Sequence, residues 1–409
     1  MSLTKINTVV VGGGQAGLAV SEHLSKQGVN HVVLERGRIA ERWRSERWNS
    51  FTANGPAWHD RVPTLEFRGL DPETFANKEQ IVEYFNAYAN QIDAPVRTGA
   101  EVSLVQMLRD EPGFSVKSST GNFEAMNVVA ATGPFQVPII PSVVPPESEI
   151  VQLHSNQYFA PQQLPEGGVL VVGAGSSGAQ IADELLRSGR PVHLAIGRHQ
   201  RPPRRYRGKD FAWWLDVLGH WEATTRDPAV EHVTIAVSGA HGGSTVDFRE
   251  FASRGMKLVG RAASFENGTM HFRPDLADNL AKGDSYHMSV LDEADAYAAR
   301  EGLALPLDPY ARFSRPDPDC VANPILSLDL RGAGITSIIW ATGYALDFSW
   351  LDLPAFDDRG RPVHQRGVSA VRGLYFLGLP WLHSRQSPFI FGVWNDAKYI
   401  AAHLASRLP

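Results

Sequence analysis

The chain of 409 residues carries 39 Lys plus Arg against 44 Asp plus Glu, a net charge of −5, and a single cysteine, Cys320. One thiol excludes an intramolecular disulfide, a cysteine-based zinc centre and a Cys-x-x-Cys redox pair, and the mild acidity argues against a general nucleic-acid binder. The length exceeds what one core usually fills, so two domains or one large insertion are expected, and 37 glycines point to backbone that a ligand approaches closely.

Met1 to Gly14 lacks the basic region, apolar stretch and cleavage site of a signal peptide, and no apolar run reaches membrane-spanning length. A cytoplasmic protein with no membrane partner is therefore expected. The β-branched run Asn7–Val11 predicts a strand, followed by Gly12-Gly13-Gly14-Gln15-Ala16-Gly17, an amphipathic helix over Leu18–Gln27 and a second strand over His31–Leu34. Ala131-Thr132-Gly133 closes another such run, Asn127–Ala130. Four prolines between Gln136 and Pro146, then the stretch Pro161–Gly168, mark a linker. The opening order then recurs: strand Val169–Val172, Gly173-Ala174-Gly175-Ser176-Ser177-Gly178, helix Ala179–Ser188 and strand Val192–Ile196. Asp275–Arg300 reads as helix, Pro306–Pro318 as loop, and Ala341-Thr342-Gly343 closes the run Ile335–Trp340. After Tyr344 short strands and turns lead to a last helix, Asn395–Arg407.

A Gly-x-Gly-x-x-Gly turn between strand and helix suits a dinucleotide. The first glycine makes the turn, the second lets the pyrophosphate approach, and the third packs helix on strand, with the phosphates at the positive helix end. Glu35 follows Gly12 by 23 residues (35 − 12), where a carboxylate accepts from ribose hydroxyls; this favours FAD or NAD. The equivalent place in the second unit reads Gly197-Arg198, and a guanidinium there suits the 2′-phosphate of NADPH. Arg198 opens a basic segment with Arg201, Arg204, Arg205, Arg207 and Lys209, whose position after the ribose-binding strand favours phosphate recognition by one or two of its arginines, Arg198 first, over a solvated face. The histidines show no metal-ligand spacing and there is no Gly-x-Ser-x-Gly elbow, so neither a metal site nor a hydrolase is indicated. Trp213, Trp214 and Trp221, like Trp381 and Trp394, read as core or interface packing.

With these motifs in this order, the chain resembles the class B flavoprotein monooxygenases over essentially its whole length, in particular a poorly characterised bacterial branch like the flavin-containing monooxygenases. The stretch Arg42-Trp43-Arg44-Ser45-Glu46-Arg47-Trp48 is similar to the family's Gly-Gly-x-Trp-Arg segment beside FAD, although Ala40-Glu41 stands where two glycines are usual. Asn54-Gly55-Pro56 is similar to the family's Asn-Gly-Pro, which implies that Asn54 is catalytic and holds the reduced flavin and its oxygen adduct by hydrogen bonding. His154 and Tyr158 fit the second half of the family's Phe-x-Gly-x-x-x-His-x-x-x-Tyr segment, with Ser148 and Ile150 in place of Phe and Gly; His154 is expected to position the domain connection. Tyr344 completes an Ala-Thr-Gly-Tyr, and Phe376–Trp381 with Arg385–Ser387 resembles the portion that closes over the isoalloxazine, which brings in Gly378 and Gln386.

The resemblance implies an α/β fold with two Rossmann-like dinucleotide-binding domains: a three-layer, glutathione-reductase-like FAD domain (1–160 and 345–409) interrupted by an NADPH domain with a helical insertion (161–344). The implied cofactor-binding positions are Gly12, Gly14, Gln15, Ala16, Gly17, Glu35, Arg36, Arg42, Trp43, Val102, Ala131, Thr132, Gly133 and Gly378 with Gln386 on the FAD side. For NADPH and the return to the first domain they are Gly173, Gly175, Ser176, Ser177, Gly178, Arg198, Thr342, Gly343 and Tyr344. The implied activity is an NADPH-dependent monooxygenase that inserts one atom of O2 into a small organic substrate through a C4a-(hydro)peroxyflavin, by N- or S-oxygenation or Baeyer–Villiger chemistry. The alternatives are an NAD(P)H oxidoreductase that passes electrons to a carrier or quinone, and a flavin-binding regulator without activity. The expected partners are a small-molecule substrate, O2 and a second copy of the chain, with no nucleic acid and no metal.

Overall fold

Thr8–Val11 and His31–Leu34 are uninterrupted buried runs, the pattern of parallel strands covered by helices on both faces. The computed structural model describes residues 3–224 and 235–407. Its first unit runs β1 (Leu3–Val11), α1 (Gln15–Lys26), β2 (His31–Glu35), α2 (Glu41–Ser45), α3 (Lys78–Gln91), β3 (Val96–Thr98), β4 (Val102–Met107), β5 (Phe114–Ser118) and β6 (Gly121–Ala130). The parallel order is β3-β2-β1-β6, with Val10 opposite both Val33 and Val129. β4 and β5 extend the sheet antiparallel. β6 is long enough to divide one edge: its first half pairs with β5, and its second half pairs with the late strand Leu374–Phe376. The C-terminal part of the chain thereby returns to the first sheet.

The second sheet is wholly parallel: Lys257–Val259, β10 (Val192–Ala195), β9 (Gly168–Val172), Ile335–Trp340 and β8 (Val151–His154), with α4 (Ser176–Arg187) between β9 and β10. β8 lies in the stretch expected to belong to the first segment, yet it pairs inside this second sheet, so the chain crosses between sheets in the proline-rich stretch ahead of residue 151. β7 (Val137–Pro138), on the way out, pairs antiparallel with Tyr344–Ala345 on the way back. His154 braces this double crossing: buried, its Nε2 meets the Gly343 carbonyl at 3.0 Å and its Nδ1 meets Asn156 Oδ1 at 2.9 Å.

The expected helix over Asp275–Arg300 spans Leu276–Arg300, and the last helix is Ile390–Ala405, starting ahead of Asn395 because Ile390 and Val393 bury against the core. One hydrophobic core lies around the first sheet; another runs from Trp48 and α3 into β9, α4 and β10, joining the two units in a continuous interior. Among the described residues no helix is long and apolar enough to cross a membrane.

Candidate active site

Each glycine turn is locked to the Ala-Thr-Gly segment downstream of it. Gly12 has φ +109, and a Cβ there would stand 2.6 Å from the carbonyl oxygen of Ala131. Gly173, at φ +115, faces the carbonyl of Ala341 in the same way. Ala131 N donates to Val11 O at 2.9 Å and Ala341 N to Val172 O at 2.8 Å, so each Ala-Thr-Gly continues the strand beside its turn. Gly17 and Gly178 bring the helices down onto the carbonyls of Gly12 and Gly173. The two middle glycines also match: Gly14 (φ −87, ψ −164) and Gly175 (φ −73, ψ −178) are extended caps of α1 and α4. A Cβ on Gly14 would meet nothing within 4 Å.

That open side of Gly14 is a cavity of 490 Å³. It gathers Gly12, Gly14, Gln15, Ala16, Glu35, Arg36, Arg42, Trp43, Val102, Ala131, Thr132, Gly133 and Gly378 from the residues named above. Glu35 ends β2 with one carboxylate oxygen accepting from Gly13 N (2.7 Å) and the other from Gly37 N (2.8 Å). The remaining lone pairs stay available to ribose hydroxyls. Gly378, at φ +76, is glycine because a Cβ would stand 2.8 Å from that of Ala16. Ala40 adopts the left-handed conformation (φ 59, ψ 30) that caps α2, so the loop keeps a glycine-like path without glycine.

Several lining residues escaped sequence reasoning. Gln136 Nε2 donates to Thr132 Oγ1 (2.9 Å) and Gly133 O (2.7 Å), while its Oε1 accepts from Asp347 N (2.6 Å), tying the first Ala-Thr-Gly to the returning chain. Arg47 lies over the rings of Trp43, Phe51 and Phe135 at 5.1, 5.8 and 5.4 Å. Burial pushes its guanidinium below the ordinary arginine range, against the pull of Tyr344 and Glu46. Arg47 lies inside the Arg42–Trp48 stretch read from the sequence, but its neighbours come from three separate stretches of chain, so that reading did not single it out.

At the second turn, Ser176 Oγ donates to the Ile235 carbonyl at 2.7 Å, and Ser177 is exposed. Arg198 is exposed just beyond the end of β10, and no carboxylate stands in the position that Glu35 holds in the first unit. Thr342 donates to the Ile139 carbonyl, Ile139 N donates to Gly343 O (3.0 Å), and Tyr344 packs edge-on to His154 and Phe135. The basic segment does not form a phosphate cluster. Arg201 pairs with Asp284 (2.6 Å), Arg204 with Asp210 (2.7 Å) and Arg207 with Asp295 (3.1 Å), so these three guanidiniums are used within the fold.

Asn54 lies outside the 490 Å³ cavity, at the seam between the two units. Gln180 of α4 donates to its Oδ1 (2.8 Å), Arg204 Nη1 donates to its carbonyl (2.5 Å), and Gly55 N donates to Asp60 Oδ2 (2.9 Å). With Oδ1 taken by Gln180, the Asn54 amide group is left as a donor. Gln386 is not at the FAD-side cavity: its turn is pressed against Gly392, and it lines a different cavity with His383 and Asp396. Among the described residues no cluster of His, Cys, Asp or Glu is arranged to hold a metal.

The family model described as pyridine nucleotide-disulphide oxidoreductase matches residues 9–216. The chain belongs to this family. It is 31% identical over 400 residues to an uncharacterised CzcO-like oxidoreductase of Geobacillus kaustophilus, covering 97% of both chains. It is also 31% identical over 192 residues, 46% of this chain and 47% of the relative, to the indole-3-pyruvate monooxygenase YUCCA1 of Oryza sativa. A flavin-containing monooxygenase from Stenotrophomonas maltophilia shares the fold with a TM-score of 0.67 at 20% identity, covering 98% of this chain and 99% of that one. The resemblance to flavin monooxygenases read from the motifs thus stands, as does the two-unit Rossmann-like fold. The chain cannot itself form an intramolecular disulphide, because Cys320 is its only cysteine.

Proposed function

We propose that the chain is an FAD-dependent, NADPH-consuming monooxygenase that inserts one atom of O2 into a small organic substrate. The observation that carries this reading is a pair of dinucleotide turns in a chain with a single cysteine. Two-electron chemistry between nucleotides has no thiol pair to run into, so the electrons leave to an external acceptor. The monooxygenase names among the relatives favour O2 as that acceptor.

The residues of the cavity beside Gly14 suit FAD: an open backbone at Gly14 would admit the pyrophosphate and the Glu35 carboxylate would accept from ribose hydroxyls, with Arg42, Trp43, Val102 and Gly378 in the same lining. Bound there, FAD supplies electron transfer and oxygen activation that no side chain provides. Gly173, Gly175 and Gly178 would hold the NADPH pyrophosphate, Ser177 and Arg198 its exposed side, and Thr342, Gly343 and Tyr344 the crossing between the units. Asn54 presents its amide as a donor at the seam. On this reading the FAD unit is 1–160 with 345–409 and the NADPH unit 161–344, with Val151–His154 transferred to the NADPH unit.

The test is product analysis under 18O2 with NADPH, over amines, sulfides, ketones and indolic acids. One labelled oxygen atom in the product is the expected result. NADPH-driven reduction of a quinone or carrier protein with no label in any product would favour the alternative oxidoreductase, and bound FAD that NADPH never reduces would favour a regulator.

A further inference from the structure

Arg36, Arg42 and Arg47 all line the cavity beside Gly14, and they are not equivalent. Arg36 is exposed. Arg42 pairs with Glu46 at 2.8 Å and also reaches the Gln136 carbonyl at 3.3 Å. Arg47 has no carboxylate partner among the described residues. Its Nη1 donates to the Glu46 carbonyl at 2.9 Å, while the Glu46 carboxylate is held by Arg42 and by Asn156 Nδ2 at 3.4 Å.

The rest of its surroundings are rings. Trp48 and Phe51, just past α2, are buried and fix the backbone beside the cavity. Trp43 and Phe51 then present their rings to the guanidinium from one stretch of chain, and Phe135 does so from the end of the first Ala-Thr-Gly segment. A guanidinium is planar and weakly hydrated, so it can lie against aromatic faces, and it keeps its proton there. A charge held away from water without its opposite is costly. An anion entering the same cavity offsets that cost.

The FAD phosphates have the open backbone of Gly14 and the N-terminus of α1. The charge that comes with reduction has no such provision. Reduction, the chemistry that FAD supplies, takes two electrons and one proton from NADPH and releases NADP⁺; one negative charge stays in the cavity until a second proton arrives from solvent. We propose that Arg47 is a redox-tuning residue: its cation stabilises that negative charge and so raises the two-electron potential of the bound flavin. The inference rests on the FAD- and NADPH-dependent reading above. Opposite unit charges separated by the width of this cavity, about 8 Å for 490 Å³, attract enough at an effective dielectric constant of about 20 to move an equilibrium roughly 30-fold. The charged and titratable groups facing the guanidinium are Glu46, Arg42, Tyr344 and His154. Glu46 and Arg42 offset each other, and burial pushes Tyr344 up and His154 down, so both stay uncharged around neutral pH.

The test is the equilibrium potential of full-length holoenzyme, titrated with a chemical reductant against a reference dye and without substrate. Arg47→Met keeps the stem against the rings, Arg47→Gln keeps a donor for the Glu46 carbonyl, and both remove the charge. Above neutral pH, where the added charge is unprotonated, each variant should lose about tenfold or more in the reduction equilibrium, a potential about 30 mV lower. In mild acid the second proton neutralises that charge, and wild type and variants should converge. A packing defect has no reason to follow that protonation. Equal potentials above neutral pH, or an offset that persists unchanged in acid, overturn the proposal, and either variant suffices if the other fails to fold. A wild-type holoenzyme that NADPH does not reduce refutes the parent reading instead, and the dye titration still decides the role of Arg47.

Discussion

Two alanine substitutions two residues apart should separate ligand binding from folding. At Gly14 the backbone is ordinary for any residue, and a Cβ meets nothing within 4 Å. Gly14→Ala should leave the apoprotein at least as stable as wild type, since restricting the unfolded chain contributes about 0.4–1 kcal/mol. The same methyl enters the space assigned to the FAD pyrophosphate. An overpacking penalty of about 1–3 kcal/mol corresponds to roughly 5–150-fold weaker binding at 1.4 kcal/mol per decade. Gly12→Ala should do the opposite. Its φ of +109 costs a side-chain residue about 1–3 kcal/mol, and its Cβ would stand 2.6 Å from Ala131 O. Relieving that contact parts β1 from the end of β6 and adds about 1–3 kcal/mol. Differential scanning fluorimetry of apoprotein and a fluorescence titration with FAD measure the two effects. A Gly14→Ala variant that binds FAD like wild type, or a Gly12→Ala apoprotein with unchanged Tm, would refute the reasoning.

Arg204→Ala leaves Asp210 buried without its cation, both side chains being 3% exposed or less. It should cost about 3–5 kcal/mol in urea unfolding, whereas a surface arginine such as Arg205 should cost little. Glu35→Gln replaces an acceptor that serves both Gly13 N and Gly37 N; a loss of about 1–3 kcal/mol in apoprotein stability and weaker FAD binding are expected by the same two assays. Arg198→Glu should raise the Kd for NADPH far more than that for NADH, and an equal rise would remove Arg198 as the phosphate clamp. Burial holds His23 near pH 4, against 6.5 for an ordinary histidine. Between those values the unfolded chain binds more protons than the folded one, so stability falls as pH drops from 6.5 to 4. The fall of Tm across that window should become shallower in His23→Phe, with a residual slope from the other buried histidines, such as His31 and His199, that burial also holds below the ordinary range.

Local spacing made the glycine turns readable, because the forces that select glycine there act within one strand, turn and helix. The echo of Ala-Thr-Gly behind each turn was also visible in the sequence, and the structure supplies its cause: the Ala131 and Ala341 carbonyls occupy the space a Cβ at Gly12 or Gly173 would need. The surroundings of Asn54 were not readable. Its partners Gln180 and Arg204 lie 126 and 150 residues away, and the basic segment that holds Arg204 gives no sign of a contact with Asn54.

The basic segment shows how a linear reading of charge goes astray. Arg201, Arg204 and Arg207 look like a phosphate cluster because the sequence displays cations together and leaves their anions elsewhere. Asp284 and Asp295 arrive from the long helix Leu276–Arg300, and Asp210 is turned back as the cap of the helix Phe211–Val217. The Arg201 and Arg207 pairs fasten the long helix to the chain that leaves β10, and the Arg204 pair holds that chain to the cap of the next helix. A charge so engaged must break an ion pair before it can meet a phosphate, and with Arg204 that break would also release the carbonyl of Asn54. Discrimination for a 2′-phosphate is expected at Arg198 from its place just beyond the end of β10, the position that Glu35 holds in the first unit, and Arg204 is expected to act on Asn54 and the seam between the units. An Arg204→Lys variant should consequently disturb reactivity more than NADPH affinity, since lysine keeps the charge but cannot bridge Asp210 and the Asn54 carbonyl with one planar fork.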